Sequence, residues 1–227
     1  MQNRGVRILL VALCCAIPAA GLETPRILSS NSFVVPLTAP GFETRIPKGI
    51  SSSSRPKIVS REDWRAREPV GKMILHKPSR ITIHHTASRQ KEKTSIEQKM
   101  RDLQAFSQTA STLSTGKLKP AWPDVPYHFY IAADGRIAEG RKIDYVGDTN
   151  TEYDPTGHIL VVLEGNFEIE QPAGKQLQSL RELVSWLAHE WNVRAGDIKG
   201  HRDYARTACP GKNLAPEVRK LREALGK

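Results

Sequence analysis

The run His158-Ile-Leu-Val-Val-Leu163 carries aliphatic side chains at five consecutive positions. A strand with one wet face alternates apolar and polar residues, so an unbroken apolar run reads as an inner strand buried on both faces. Such a strand needs a layer on each side. Downstream, residues 176–192 supply one: Leu177, Leu180, Val184, Leu187 and Trp191 share a helical stripe that leaves His189 toward solvent. Upstream, residues 94–110 read as a second helix, opened by a Thr94/Glu97 capping box and burying Ile96, Met100, Leu103 and Phe106. Residues 127–132 and 136–140 form a hairpin across Asp134-Gly135, a pair suited to a type I′ turn. Residues 216–225 close the chain as a helix with proline in its first turn and Gly226 as its stop. Residues 57–66 open it, with Ile58 and Val59 before a Ser60–Asp63 turn and a short helix bearing Trp64 as a core anchor. Strands and helices interleave around one sheet, which predicts a single α/β domain with a mixed central sheet flanked by helices.

Two further stretches carry chemistry. Gly200-His-Arg-Asp-Tyr-Ala-Arg-Thr-Ala-Cys-Pro-Gly211 sets His201 and Cys209 eight positions apart in a loop-prone segment. Imidazole and thiolate are favoured zinc ligands, and Pro210-Gly211 ends regular structure where a ligand loop must turn. Two ligands do not complete a site; the alternative for such a pair is a buried cysteine near an exposed histidine. A third ligand is available in Arg80-Ile-Thr-Ile-His-His-Thr-Ala-Ser88. Alternation along this strand points Ile81, Ile83 and His85 to one face and Thr82, His84 and Thr86 to the other, so one histidine at most serves a given ion. Periodicity alone does not choose between them.

These stretches, with Pro126-Tyr-His-Phe-Tyr-Ile-Ala-Ala-Asp-Gly-Arg-Ile-Ala-Glu-Gly-Arg141 between them and Lys57–Ala66 before, resemble the zinc-dependent N-acetylmuramoyl-L-alanine amidases of the peptidoglycan recognition protein and phage lysozyme-amidase type. The resemblance covers about residues 57–222 and is silent on the first 56. It implies zinc (Zn2+) held by His84, His201 and Cys209, with Tyr127 and Thr207 assisting the chemistry and His85 packing or supporting. The implied substrate is peptidoglycan, cut at the amide between the lactyl group of N-acetylmuramic acid and L-alanine. In related cytoplasmic amidases a working glutamate would fall at Val162; here the nearest carboxylate is Glu164, which the tyrosine-type pattern does not need as its main base. Some phage members carry lysine where this chain has Thr207. After Glu139-Gly-Arg141 the chain has Lys142-Ile143 in place of a Gly-Trp pair, and Gly147-Asp148-Thr149 in place of Gly-Ala-His. The groove is therefore altered where the third stem residue would bind.

Composition sets the remaining limits. The 227 residues, 39% of them hydrophobic, suit one core plus extra segments. A net charge of +10 calls for an anionic environment or partner. No basic helix, aromatic-rich sheet motif or zinc-finger spacing supports nucleic acid, whereas an anionic wall polymer serves equally well. Residues 1–21 read as a signal peptide: Arg4 and Arg7, an apolar run from Ile8 to Ile17, then Ala19, Ala20 and Gly21. The run is too short to span a membrane, so the expected location is exported, periplasmic or extracellular, with no stable membrane insertion. Cys14 or Cys15 could alternatively carry a lipid anchor. With the leader removed, Cys209 is the one remaining cysteine, and ligation protects an exported thiol. Residues 22–56, rich in Ser, Thr and Pro, read as a spacer, and Phe33–Val35 could dock as an edge segment. Residues 57–227 form the catalytic domain, expected as a monomer. Residues 111–125 read as a rim loop in which Trp122 either stacks on a sugar or packs. Two rival functions share this sequence: a binding-only wall receptor, and a cysteine peptidase with Cys209 as nucleophile. Against the second, a nucleophilic cysteine usually opens a helix, and Cys209 precedes Pro210-Gly211.

Overall fold

The computed structural model describes residues 54–113 and 116–227. The expected leader, with Cys14 and Cys15, and the spacer up to residue 53 lie outside the described residues. Eight strands occur among these: β1 (Ile58–Val59), β2 (Arg80–His85), β3 (Ser111–Thr112), β4 (Leu118–Lys119), β5 (Phe129–Ile131), β6 (Ile137–Glu139), β7 (His158–Leu163) and β8 (Ile198–Gly200). The helices are α1 (Ile96–Ser107), α2 (Gly174–Glu190) and α3 (Ala215–Leu225). Six strands make the main sheet in the order β1-β6-β5-β7-β2-β8, all neighbours parallel except the antiparallel β5–β6 hairpin. The fold is α/β with a mixed central sheet, as expected.

β7 is buried at all six positions. It pairs with β2 along its whole length, from Arg80 opposite His158 to His85 opposite Leu163. Because side chains alternate, the two sheet faces feed two cores. Ile81, Ile83, Val161, Leu163 and Phe129 pack with Leu180, Leu183, Val184 and Leu187 of α2 and Val218 and Leu221 of α3. Leu160, Val162 and Tyr130 pack on the other side with Ile96, Met100 and Leu103 of α1 and with Trp64. Trp64 is fully buried, and its indole donates to the Glu139 carbonyl at 2.7 Å.

Several local expectations are corrected. Helix α1 is capped by Ser95, whose hydroxyl accepts from the Gln98 amide at 3.2 Å. Thr94 belongs to the preceding turn, its amide donating to Lys91. Trp64 sits in consecutive turns rather than a short helix. The Asp134-Gly135 connection is not type I′, which needs positive φ at both central residues. Only Gly135 has it, at 87°, and the Gly135 amide donates to Ala132 across a three-residue loop. The Asp134 carboxylate accepts from the Arg136 amide and guanidinium, both at 3.0 Å, which stabilises this longer loop. The rim segment contains the small β3–β4 ladder, and Trp122 packs: it is 5% exposed with the Lys119 ammonium 4.7 Å from its ring centre. Among the described residues no helix is long and apolar enough to cross a membrane.

Candidate metal centre

β2 lies between β7 and β8, so hydrogen bonding on both sides fixes its register and sends His84 to the α1 face and His85 to the α2 face. His85 Nδ1 accepts from the Phe167 amide at 3.2 Å, which makes it a packing residue. β8 ends at Gly200, beside Ile83, and His201 follows at once in a 3-10 turn closed by Asp203, whose carboxylate accepts from the Gly200 amide at 2.9 Å. The Cys209 loop then folds back over this turn. The Arg202 amide donates to the Cys209 carbonyl at 2.9 Å, and the Arg202 guanidinium to Ala208 at 2.8 Å. Glycine is required at both ends of the loop. A Cβ on Gly200 would stand 2.9 Å from Pro210 Cδ, and one on Gly211, at φ 99°, would stand 2.5 Å from the Phe167 backbone.

This folding collects His84, His201 and Cys209, exposed by only 3%, 3% and 1%. One ring nitrogen of each histidine and the cysteine sulfur all lie within 4.8 Å of one another. His84 Nδ1 is 3.7 Å from Cys209 Sγ, close to the roughly 3.5 Å that separates neighbouring ligands around tetrahedral zinc. His201 Nδ1 is buried and has no hydrogen-bond partner among the described residues, while its Nε2 bonds Thr151 Oγ1 at 2.7 Å. A buried polar atom left in this way costs about 1–3 kcal/mol unless something ligates it. Burial, reinforced by the neighbouring His201, holds the His84 pKa well below the ordinary histidine value. Neutral imidazole is the form that binds metal. The donors, their spacing and their burial fit a divalent ion such as zinc.

Tyr127 is 5% exposed, and its ring centre stands 5.3 Å from that of His84. Thr207 is half-buried in the ligand loop, with its hydroxyl accepting from the Cys209 amide at 3.2 Å. Glu164 is engaged elsewhere. Its carboxylate takes the Lys99 ammonium at 2.8 Å and the amides of Lys91 and Ala133 at 2.8 and 2.9 Å, anchoring α1 and the hairpin loop to the end of β7. Val162, opposite His84 on β7, is wholly buried. His128 is structural, with Nδ1 accepting from the Leu160 amide and Nε2 donating to the Tyr145 carbonyl. Two residues near the cluster were not expected. Thr151 touches His201, and the Tyr153 hydroxyl lies 3.5 Å from His84 Nε2. They belong to a polar loop with no motif, so only its position after the hairpin could have drawn attention to it. Asp148, in the same loop, forms an ion pair with buried Arg141.

The profile of the N-acetylmuramoyl-L-alanine amidase family matches residues 75–212. Mouse peptidoglycan recognition protein 1 is 33% identical over 161 residues, covering 69% of this chain and 83% of the relative. Among solved structures, Drosophila peptidoglycan recognition protein SD is similar over 72% of this chain and 94% of that chain, at 27% identity and a TM-score of 0.62. The endolysin N-acetylmuramoyl-L-alanine amidase LysCS from Clostridium intestinale URNW is similar over 74% and 97%, at 26% identity and a TM-score of 0.59.

Proposed function

Because this chain belongs to the N-acetylmuramoyl-L-alanine amidase family, we propose that it is a zinc-dependent peptidoglycan hydrolase that cuts the amide between the muramic acid lactyl group and L-alanine. The observation that carries this reading is the convergence of His84, His201 and Cys209 donor atoms. A structural zinc site is closed by four protein ligands, whereas three leave a position for water. When bound, zinc would lower the pKa of such a water toward neutrality and polarise the scissile carbonyl.

The chain's own residues supply the rest. His84, His201 and Cys209 hold the ion. The Tyr127 hydroxyl donates to the carbonyl oxygen as negative charge develops there, a role suited to a polar group in a largely dry site. Thr207, whose oxygen accepts from the Cys209 amide, keeps a hydroxyl proton to donate. Glu164 stays bound to Lys99 and takes no part. The names of the relatives, which include peptidoglycan recognition proteins, support the polymer class. An exported location, with residues 1–21 removed and 22–56 as spacer, belongs to the same reading.

Mass spectrometry of digested peptidoglycan tests it. Free stem peptides beginning with L-alanine, and glycan with unsubstituted lactyl groups, are the expected products. New amino groups inside the stem would support the cysteine peptidase, and binding without any product the receptor.

A further inference from the structure

We propose that the 147–153 loop is the positioning element of the metal centre, with Thr151 orienting the His201 imidazole and Tyr153 backing both ligand rings; this rests on the reading of His84, His201 and Cys209 as zinc ligands. The firmest contact is the 2.7 Å hydrogen bond between Thr151 Oγ1 and His201 Nε2. Thr151 Oγ1 lies in turn 2.8 Å from Thr149 Oγ1, which also accepts from the Thr151 amide at 3.2 Å. A proton on His201 Nε2 donated to Thr151 leaves the lone pair on Nδ1, the buried atom that has no hydrogen-bond partner. Acting as acceptor for that proton, the hydroxyl supports the tautomer that can ligate, and the bond fixes the plane of the ring.

Tyr153 performs the steric part. Its hydroxyl stands 3.5 Å from His84 Nε2, its ring centre is 5.0 Å from that of His201, and it stacks on Tyr204 at 5.8 Å. Two residues of one loop thus meet the outer nitrogens of one ligand from strand β2 and one from the 3-10 turn after β8. The loop is held at its base. Asp148 is paired with Arg141, whose side chain is 2% exposed and also donates to the carbonyls of Val125 at 2.9 Å and Asp124 at 3.2 Å.

The test measures zinc affinity by competition with a chromophoric chelator, on Thr151→Val, Thr151→Ser, Tyr153→Phe and His201→Ala. Thr151→Val keeps the shape and removes the hydroxyl, so its affinity falls about 10- to 100-fold, the usual loss for a partner of a ligating histidine, while Thr151→Ser stays near wild type. Tyr153→Phe keeps the stacking ring and loses less. The unfolding temperature of metal-free Thr151→Val falls by no more than the loss of one buried hydrogen bond allows, and that of metal-free Thr151→Ser matches the metal-free wild type. Wild-type zinc affinity in Thr151→Val, with affinity lost in His201→Ala, overturns the positioning role alone. A loss that Thr151→Ser shares, with lower unfolding temperatures in both metal-free variants, makes Thr151 merely structural and also overturns it. Undiminished zinc affinity in His201→Ala overturns the metal reading itself.

Discussion

His84 Nδ1 lies 3.7 Å from Cys209 Sγ, although 125 positions separate the two residues. Each sits on a rigid support, His84 inside a strand paired on both sides and Cys209 in a loop tied to Arg202. Replacing Cys209 with Ala removes one of three donors. Metal analysis should show about one zinc per chain in the wild type and little in Cys209→Ala, which also unfolds more readily because metal binding is coupled to folding. Chelation should abolish activity and added zinc restore it; full activity in metal-free protein would sink the assignment.

Tyr127 stands beside His84 with its ring nearly buried. Tyr127→Phe deletes a single hydroxyl, and turnover on purified peptidoglycan should drop about a hundredfold, as for loss of other oxyanion donors. Zinc content and wall binding should barely change. Thr207→Ala should act in the same direction but more mildly, since water can replace part of a threonine hydroxyl. Near-normal turnover in Tyr127→Phe would leave this tyrosine a packing residue only.

Glu164 and Lys99 form an ion pair with side chains 3% and 6% exposed. Glu164→Gln leaves a buried ammonium without its counter-charge, which should cost about 3–5 kcal/mol in denaturant unfolding. The folded fraction should still turn over substrate. If stability held and turnover vanished instead, the carboxylate would be the working base after all.

Acid should weaken the fold through His128. This ring is fully buried, and burial pushes its pKa down to about 3 from the ordinary 6.5. As pH falls, the unfolded chain therefore takes up the proton first. The stability that the neutral ring contributes is whole above pH 6.5 and is lost through the window from 6.5 to 3, at about 1.4 kcal/mol per pH unit. Unfolding of the metal-free protein at several pH values measures the summed slope of His128, of His84, also held low by burial, and of His158, lowered by burial to about 4, without any contribution from zinc release. Constant stability from pH 6.5 to 4 would contradict it.

The main architecture was legible because it rests on periodicity. The unbroken run in β7 and the helical stripes of α1 and α2 depend only on which side chains can be buried, and each is an element of the structure. Alternation in β2 separated His84 from His85 but could not orient them, because two opposite faces are equivalent until the layers are assigned. Turn chemistry was less legible. Asp134-Gly135 fits two loop lengths, and the hydrogen bonds from Arg136 to the Asp134 carboxylate favour the longer one. Thr151 and Tyr153 were invisible for a different reason. Their importance comes from where the 147–153 loop lands, and that is set by the Asp148–Arg141 ion pair rather than by any local pattern.

The strand order carries a consequence for timing. β8 pairs with β2 at one edge of the sheet and leads straight into His201, so residues synthesised well after His84 complete the cluster to which it belongs. The three donors cannot converge until residue 209 has emerged and β8 has docked on β2. A nascent chain that has not reached Cys209 therefore lacks the full donor set, and so does any product of a stop codon upstream of it. Emergence of Cys209 is the step that completes the donor set.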